Sequence, residues 1–101
     1  MSLFEEINDE QSLAVIIYPN PFSGSTNISF SIPQSQKIIL QIFDVQGRLI
    51  RTVADEVINE GVHTLTWDAR DNGGNEVSDG IYFLKMATEN KVNTTSLLIA
   101  K

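Results

Sequence analysis

The chain has no cysteine, a single histidine and only 7 basic residues among its 101, and each shortage closes off a class of function. Without thiols there is no disulfide framework, no thiolate zinc site and no thiol nucleophile. Seven Lys and Arg against 13 Asp and Glu leave a net charge of −6, which keeps the domain soluble and repels phosphate backbones, so nucleic acid is a poor partner. Long apolar runs are missing as well. The longest candidate, residues 13–18, falls far short of the roughly 20 apolar residues that a membrane-spanning helix needs. The opening Met1-Ser2-Leu3 has neither the basic flank nor the apolar stretch of a secretory leader. Proline is scarce, and two of its 3 occurrences, Pro19 and Pro21, fall in one short stretch, Tyr18-Pro19-Asn20-Pro21-Phe22.

What is present is alternation. A chain of this length folds as one domain and buries roughly two thirds of the surface its unfolded form would expose. The acidic residues 1–12 carry no such pattern and read as a linker entering from an upstream cargo domain, which leaves 13–101 as the folded unit. From there on the period is two and β-branched and aromatic residues dominate, so the fold class is all-β. Residues 26–32 send Ile28, Phe30 and Ile32 to one face and Asn27, Ser29 and Ser31 to the other. Residues 37–44 are apolar on both faces and read as a central strand. With residues 13–18, 48–53, 62–67, 81–88 and 91–100, about seven short antiparallel strands are expected, at the turn spacing of a β-sandwich.

The turns carry their own signals. Asp44-Val45-Gln46-Gly47 fits a type I turn in which Gly47 takes positive φ and forms a bulge, with Arg48 opening the return strand. Glu89-Asn90 reads as a two-residue hairpin loop, Asn72-Gly73-Gly74-Asn75 as a flexible loop tip, and Asp79-Gly80 as a tight bend. Pro19 and Pro21 interrupt strand pairing, and Gly24 permits the chain to turn back into its first regular strand.

Candidates for chemistry are few. His63 has the parity of Leu65 and Trp67, which puts it on the core side, and no Ser or Asp partner is implied by spacing. Residues 68–80 are rich in oxygen ligands but fail the EF-hand pattern: Arg70 stands where a ligand should, and Asp79 stands in the place of the usual Glu. Asn27-Ile28-Ser29 and Asn93-Thr94-Thr95 fit the three-residue glycosylation pattern, which is frequent by chance. Trp67, Phe30 and Phe43 take core parity, leaving Phe22 and one of Tyr82 or Phe83 for the surface, too few for a sugar-binding platform. Neither an enzymatic activity, nor a cofactor, nor a metal site is expected.

Taken in order, Tyr18-Pro19-Asn20-Pro21-Phe22, residues 26–33, Asp44-Val45-Gln46-Gly47-Arg48, residues 61–68, Gly80-Ile81-Tyr82-Phe83 and the final Leu98-Ile99-Ala100-Lys101 resemble a known family. The chain is similar to the type A C-terminal sorting domains of the type IX (Por) secretion system of Bacteroidota, over residues 13–101. The Trp67-Asp68 and Gly80-Ile81-Tyr82 portions also resemble the Ig-like domain of flagellar hook-capping proteins. The departures from the sorting-domain pattern are a single terminal Lys101, where several basic residues are common, and Asp79, where Ser or Ala is common.

The resemblance implies an Ig-like, Greek-key β-sandwich that directs a fused cargo from the periplasm across the outer membrane, to the cell surface or the medium. It implies the type IX translocon and a sortase-like cysteine peptidase as partners, with cleavage in or before the acidic linker and the cargo joined to lipopolysaccharide or released. The motif residues it singles out are Pro19, Asn20, Pro21, Gly24, Asp44, Gly47, Arg48, Gly80, Tyr82 and Lys101. An exposed last strand, residues 91–101, is the candidate edge for pairing with a receptor or a second copy. A non-catalytic accessory module of a surface protein, for adhesion or sugar binding, is the alternative.

Overall fold

The computed structural model describes residues 14–101, so the expected linker over residues 1–12 lies outside the described part. Seven strands follow one another: β1 (Val15–Tyr18), β2 (Thr26–Ile32), β3 (Gln36–Phe43), β4 (Leu49–Ile58), β5 (Gly61–Trp67), β6 (Gly80–Ala87) and β7 (Val92–Ile99). They form a three-stranded sheet in the order β1-β2-β5 and a four-stranded sheet in the order β4-β3-β6-β7, with every strand pair antiparallel. The all-β sandwich expected from the alternation is therefore the fold observed.

The two sheets close over side chains of alternating parity. Ile28, Phe30 and Ile32 of β2 meet Ile38, Leu40 and Ile42 of β3, Leu84 and Met86 of β6, and Leu97 and Ile99 of β7 in one buried cluster. β3 lies inside its sheet, between β4 and β6, which accounts for the apolar character of both its faces. Its second face is only half-buried, and Phe43, expected in the core, lies there.

β4 begins at Leu49 and runs to Ile58, well past the expected end at Val53. The reason is local: Val53 and Ile50 of β4 are skipped in the pairing with Leu40/Gln41 and Ile42/Phe43, two bulges that break the period of two within β4 itself, which buries Ala54 and Ile58 without simple alternation. Thr88 donates its N–H to the Lys91 carbonyl at 2.9 Å, closing the expected two-residue loop at Glu89 and Asn90.

One end of the sandwich is sealed by aromatic rings. Phe22, expected at the surface, is buried, and its ring meets Trp67 edge-on with centroids 5.8 Å apart. Trp67 in turn meets Tyr82 at 5.9 Å. Both polar handles are satisfied: the Trp67 indole N–H donates to the Arg70 carbonyl at 2.9 Å, and the Tyr82 hydroxyl donates to the Ser78 carbonyl at 2.7 Å. This Tyr-to-backbone bond at the start of a strand is the tyrosine corner of Ig-like sandwiches. Tyr82 is thus buried, and Phe83 on the opposite face is half-buried.

The core makes a direct prediction. Leu84 is 1% exposed and Leu98 37%. Leu84→Ala is expected to cost about 2–5 kcal/mol and Leu98→Ala under about 1 kcal/mol in denaturant unfolding; equal costs would contradict this packing.

Candidate functional site

The Tyr18 to Phe22 stretch does more than turn a corner. Pro19 and Pro21 have no N–H to donate, and the Asn20 side chain supplies an amide group in their place. Its Nδ2 donates to the Ser96 carbonyl at 3.3 Å, and its Oδ1 accepts from the Leu98 N–H at 2.9 Å. One step further on, the Phe22 N–H donates to the Leu98 carbonyl at 3.1 Å and the Phe22 carbonyl accepts from the Ala100 N–H at 2.9 Å. Side-chain amide and backbone amide therefore occupy successive positions on the outer edge of β7, and Phe22 runs parallel to Ile99 there. The buried Thr26 fastens the near side by donating its hydroxyl to the Pro19 carbonyl.

The expectation of an exposed last strand over residues 91–101 is corrected for part of its length by this contact. β7 is the outer strand of its sheet, but residues 96–100 of its edge are already taken by Asn20 and Phe22.

Two loops at the same end are built from one device. At Asp44, the backbone N–H of Gln46 and of Arg48 both donate to Oδ1 at 2.9 Å, and the Gly47 N–H donates to the Asp44 carbonyl at 3.0 Å. At Asp71, Gly73 and Asn75 donate to Oδ1 at 2.9 Å, and Gly74 donates to the Asp71 carbonyl at 3.0 Å. Gly47 and Gly74, each three residues after its Asp, have φ of +85° and +86°. That left-handed conformation suits glycine, and it lets the fifth residue fold back onto the carboxylate. The first turn was legible in the sequence. The second was read as a flexible tip, although Asp71-Asn72-Gly73-Gly74 repeats the Asp-x-x-Gly spacing and is just as closely hydrogen-bonded.

The two turns differ in charge. Arg48 adds a 2.8 Å ion pair from Nε to Oδ2 of Asp44. The Arg48 backbone N–H, together with this ion pair and the Gln46 N–H, holds the Asp44 carboxyl below the ordinary aspartate value of 3.8, against an opposing push from desolvation.

Between the turns lies a cleft of about 370 Å³ lined by Asp44, Arg48, Asp71, Asp79, Gly80 and Tyr82 among others. Lys101 reaches its rim. The Lys101 N–H donates to Asp79 Oδ2 at 3.1 Å, and its Nζ bonds the Val77 carbonyl at 2.8 Å and Glu76 Oε1 at 3.3 Å. Glu76 also pairs with Arg70 at 3.8 Å. A second, more apolar groove of about 330 Å³ lies beside it, lined by Asn20, Pro21, Ile81, Ser96, Leu97 and Leu98.

Nearly all the motif residues are brought together at this end: Asn20 and Pro21 along β7, with Pro19 bonded to Thr26 just before them, Asp44, Gly47 and Arg48 in the first turn, and Gly80, Tyr82 and Lys101 across the cleft. Gly24 stands apart. It is exposed, its φ is outside the left-handed region, and a Cβ there would meet nothing within 4 Å, so the turn does not require glycine. His63 shares the face of Leu65 and Trp67 as expected, stacks on Phe30 at 5.8 Å, and holds the Asn59 carbonyl at 2.6 Å through Nε2. No group of three or more His, Asp or Glu able to hold a metal ion occurs among the described residues.

The Asp44 turn predicts a pH dependence. Its carboxyl titrates lower in the folded chain than in the unfolded one, so the unfolded chain binds more protons as pH falls through that window. The stability it confers is fully present above about pH 5 and is lost below the ordinary carboxylate range. Unfolding measured from neutral to acid pH should therefore show the stability advantage of the natural chain over Asp44→Asn shrinking on acidification; a constant difference would refute it.

Known proteins bear on this geometry in two ways. By fold, the chain is similar to latent PorU from Porphyromonas gingivalis (TM-score 0.69, 17% identity, 85% of this chain and 9% of that one). It is also similar to PorZ of the same organism (TM-score 0.65, 22% identity, 87% and 12%) and to FlgD from Pseudomonas aeruginosa (TM-score 0.59, 20% identity, 83% and 69%). By sequence, it is 34% identical over 56 residues to the basal-body rod modification protein FlgD of Salmonella typhimurium, and equally to that of Salmonella typhi. That match covers 55% of this chain and 24% of the relatives, so the chain corresponds to about a quarter of their length. The family described as the FlgD Ig-like domain matches residues 17–91, from β1 to the last hairpin, and the chain belongs to that family.

Proposed function

We propose that this Ig-like domain is a sorting signal of the type IX secretion system: a folded address, without chemistry of its own, that carries an upstream cargo across the outer membrane to the cell surface or the medium. The observation that carries the reading is the convergence of its motifs. Asn20 and Leu98, Asp79 and Lys101, and the Asp44 and Asp71 turns are far apart in sequence and fixed together at one end of the sandwich. A surface read by another protein gains from such fixing, because little conformational entropy remains to be lost on binding. The shared fold with PorZ, itself a surface component of the type IX secretion system, supports the same reading. On it, the translocon contacts the convergent end, and a sortase-like peptidase cuts within or ahead of residues 1–12.

The 34% identity with FlgD favours a second reading, in which the domain is an assembly module of a basal-body rod modification protein. One pair of experiments separates the two. Residues 1–101 appended to a reporter with an export leader should bring the reporter to the surface of a type IX host and be removed on the way. Retention in the periplasm at the level of the reporter alone overturns the sorting reading. Normal basal-body assembly by an FlgD protein carrying this chain in place of its own Ig-like domain would then favour the second.

A further inference from the structure

We propose that the outer edge of β7 is a latent pairing surface for a second copy of this chain, and that the Asn20 carboxamide keeps it closed. The sequence of the strand is the first ground. Residues 92–100, Val-Asn-Thr-Thr-Ser-Leu-Leu-Ile-Ala, contain no charge, no proline and no glycine, and are rich in β-branched and aliphatic residues. Such a segment at a sheet edge is a template for another strand of its own kind. Antiparallel pairing of β7 with β7 of a second copy would extend each four-stranded sheet across a two-fold axis.

The geometry supplies the second ground. Leu98 points both its N–H and its carbonyl away from β6, as its bonds to Asn20 and Phe22 show. Asn20 spans the Ser96 carbonyl and the Leu98 N–H, as one residue of a parallel strand would, and so occupies two outward groups that an antiparallel partner strand would need. Being chemically a peptide-like amide, the carboxamide satisfies that position and ends the ladder, because Pro21 beside it has no N–H to offer a further strand. The opposite outer strand, β4, makes a useful contrast. There the Asn72 N–H donates to the Ile50 carbonyl and its Oδ1 accepts from the Thr52 N–H, both at 3.0 Å, so one end of that edge is filled in the same way. The rest of β4, however, carries Asp55 and Glu56, whose like charges oppose self-pairing, whereas the rest of β7 is uncharged. Asn20 thus closes Ser96 and the Leu98 N–H, the part of the β7 edge next to that covered by the Phe22 backbone, and no charge along the rest of β7 opposes pairing as Asp55 and Glu56 do on β4.

Sedimentation of the full chain at rising concentration tests this. The natural chain should remain monomeric; Asn20→Ala should strengthen self-association by about tenfold or more, and Asn72→Ala should not. Thr94→Pro, which removes an outward N–H two residues before Ser96, should return Asn20→Ala to the monomer. A folded Asn20→Ala chain that sediments like the natural one overturns the proposal, as does a natural chain that associates equally well. Should Asn20→Ala fail to fold, hydrogen exchange of the natural chain decides instead. The Leu98 amide is expected to be protected, and exchange at the rate of an exposed amide would show that Asn20 does not close the edge.

Discussion

The aromatic end of this domain is organised by one contact, the docking of residues 20–22 along the outer edge of β7. It is the point at which the chain leaves the three-stranded sheet and fastens itself to the four-stranded one. The backbone of Phe22 bonds Leu98 and Ala100, while its ring enters the core against Trp67 of β5, which in turn meets Tyr82 of β6. Strand edge, sheet interface and tyrosine corner are thus parts of one assembly. The ring cluster contributes packing of about 0.5–1.5 kcal/mol per aromatic pair beyond its burial, and each backbone bond adds a similar net amount.

Charge plays the smaller part. The pairs Lys37–Asp55, Arg48–Asp44, Arg51–Asp68 and Arg70–Glu76 all lie at or near the surface, where an ion pair is typically worth under about 1 kcal/mol. What orders the loops is the use of carboxylates and carboxamides as acceptors for backbone N–H groups: Asp44, Asp71, Asn72 and Asn20 each replace a peptide partner that the fold does not provide. The cleft beside Tyr82 keeps its shape for the same reason, since both turns that frame it are hydrogen-bonded internally.

The sequence made much of this legible, and the misses have physical causes. Alternation in residues 26–32 and 37–44 located β2 and β3 because each buries one clean face. β4 is longer than expected because its own bulges, at Ile50 and Val53, destroy the period that marks a strand. Phe22 was misplaced because its burial comes from a bond to a strand 76 residues away, between its N–H and the Leu98 carbonyl, and no local pattern encodes that. The Asp71 turn could have been found by comparison with Asp44, since both obey the same Asp-x-x-Gly spacing; two adjacent glycines suggested looseness where one of them fills a defined left-handed position. The motif residues were identifiable singly, and their meeting at one end was not, because it follows from the order of strands in the sheets.

A double-mutant cycle tests most directly whether the bend and the core are a single unit. Phe22→Leu, Trp67→Phe and the double variant would be unfolded in denaturant alongside the natural chain. If the Phe22 ring is held against Trp67 by the docking on β7, the two substitutions should couple by about 0.5–1.5 kcal/mol. Strictly additive losses would mean that the bend packs independently of the core and would contradict the account.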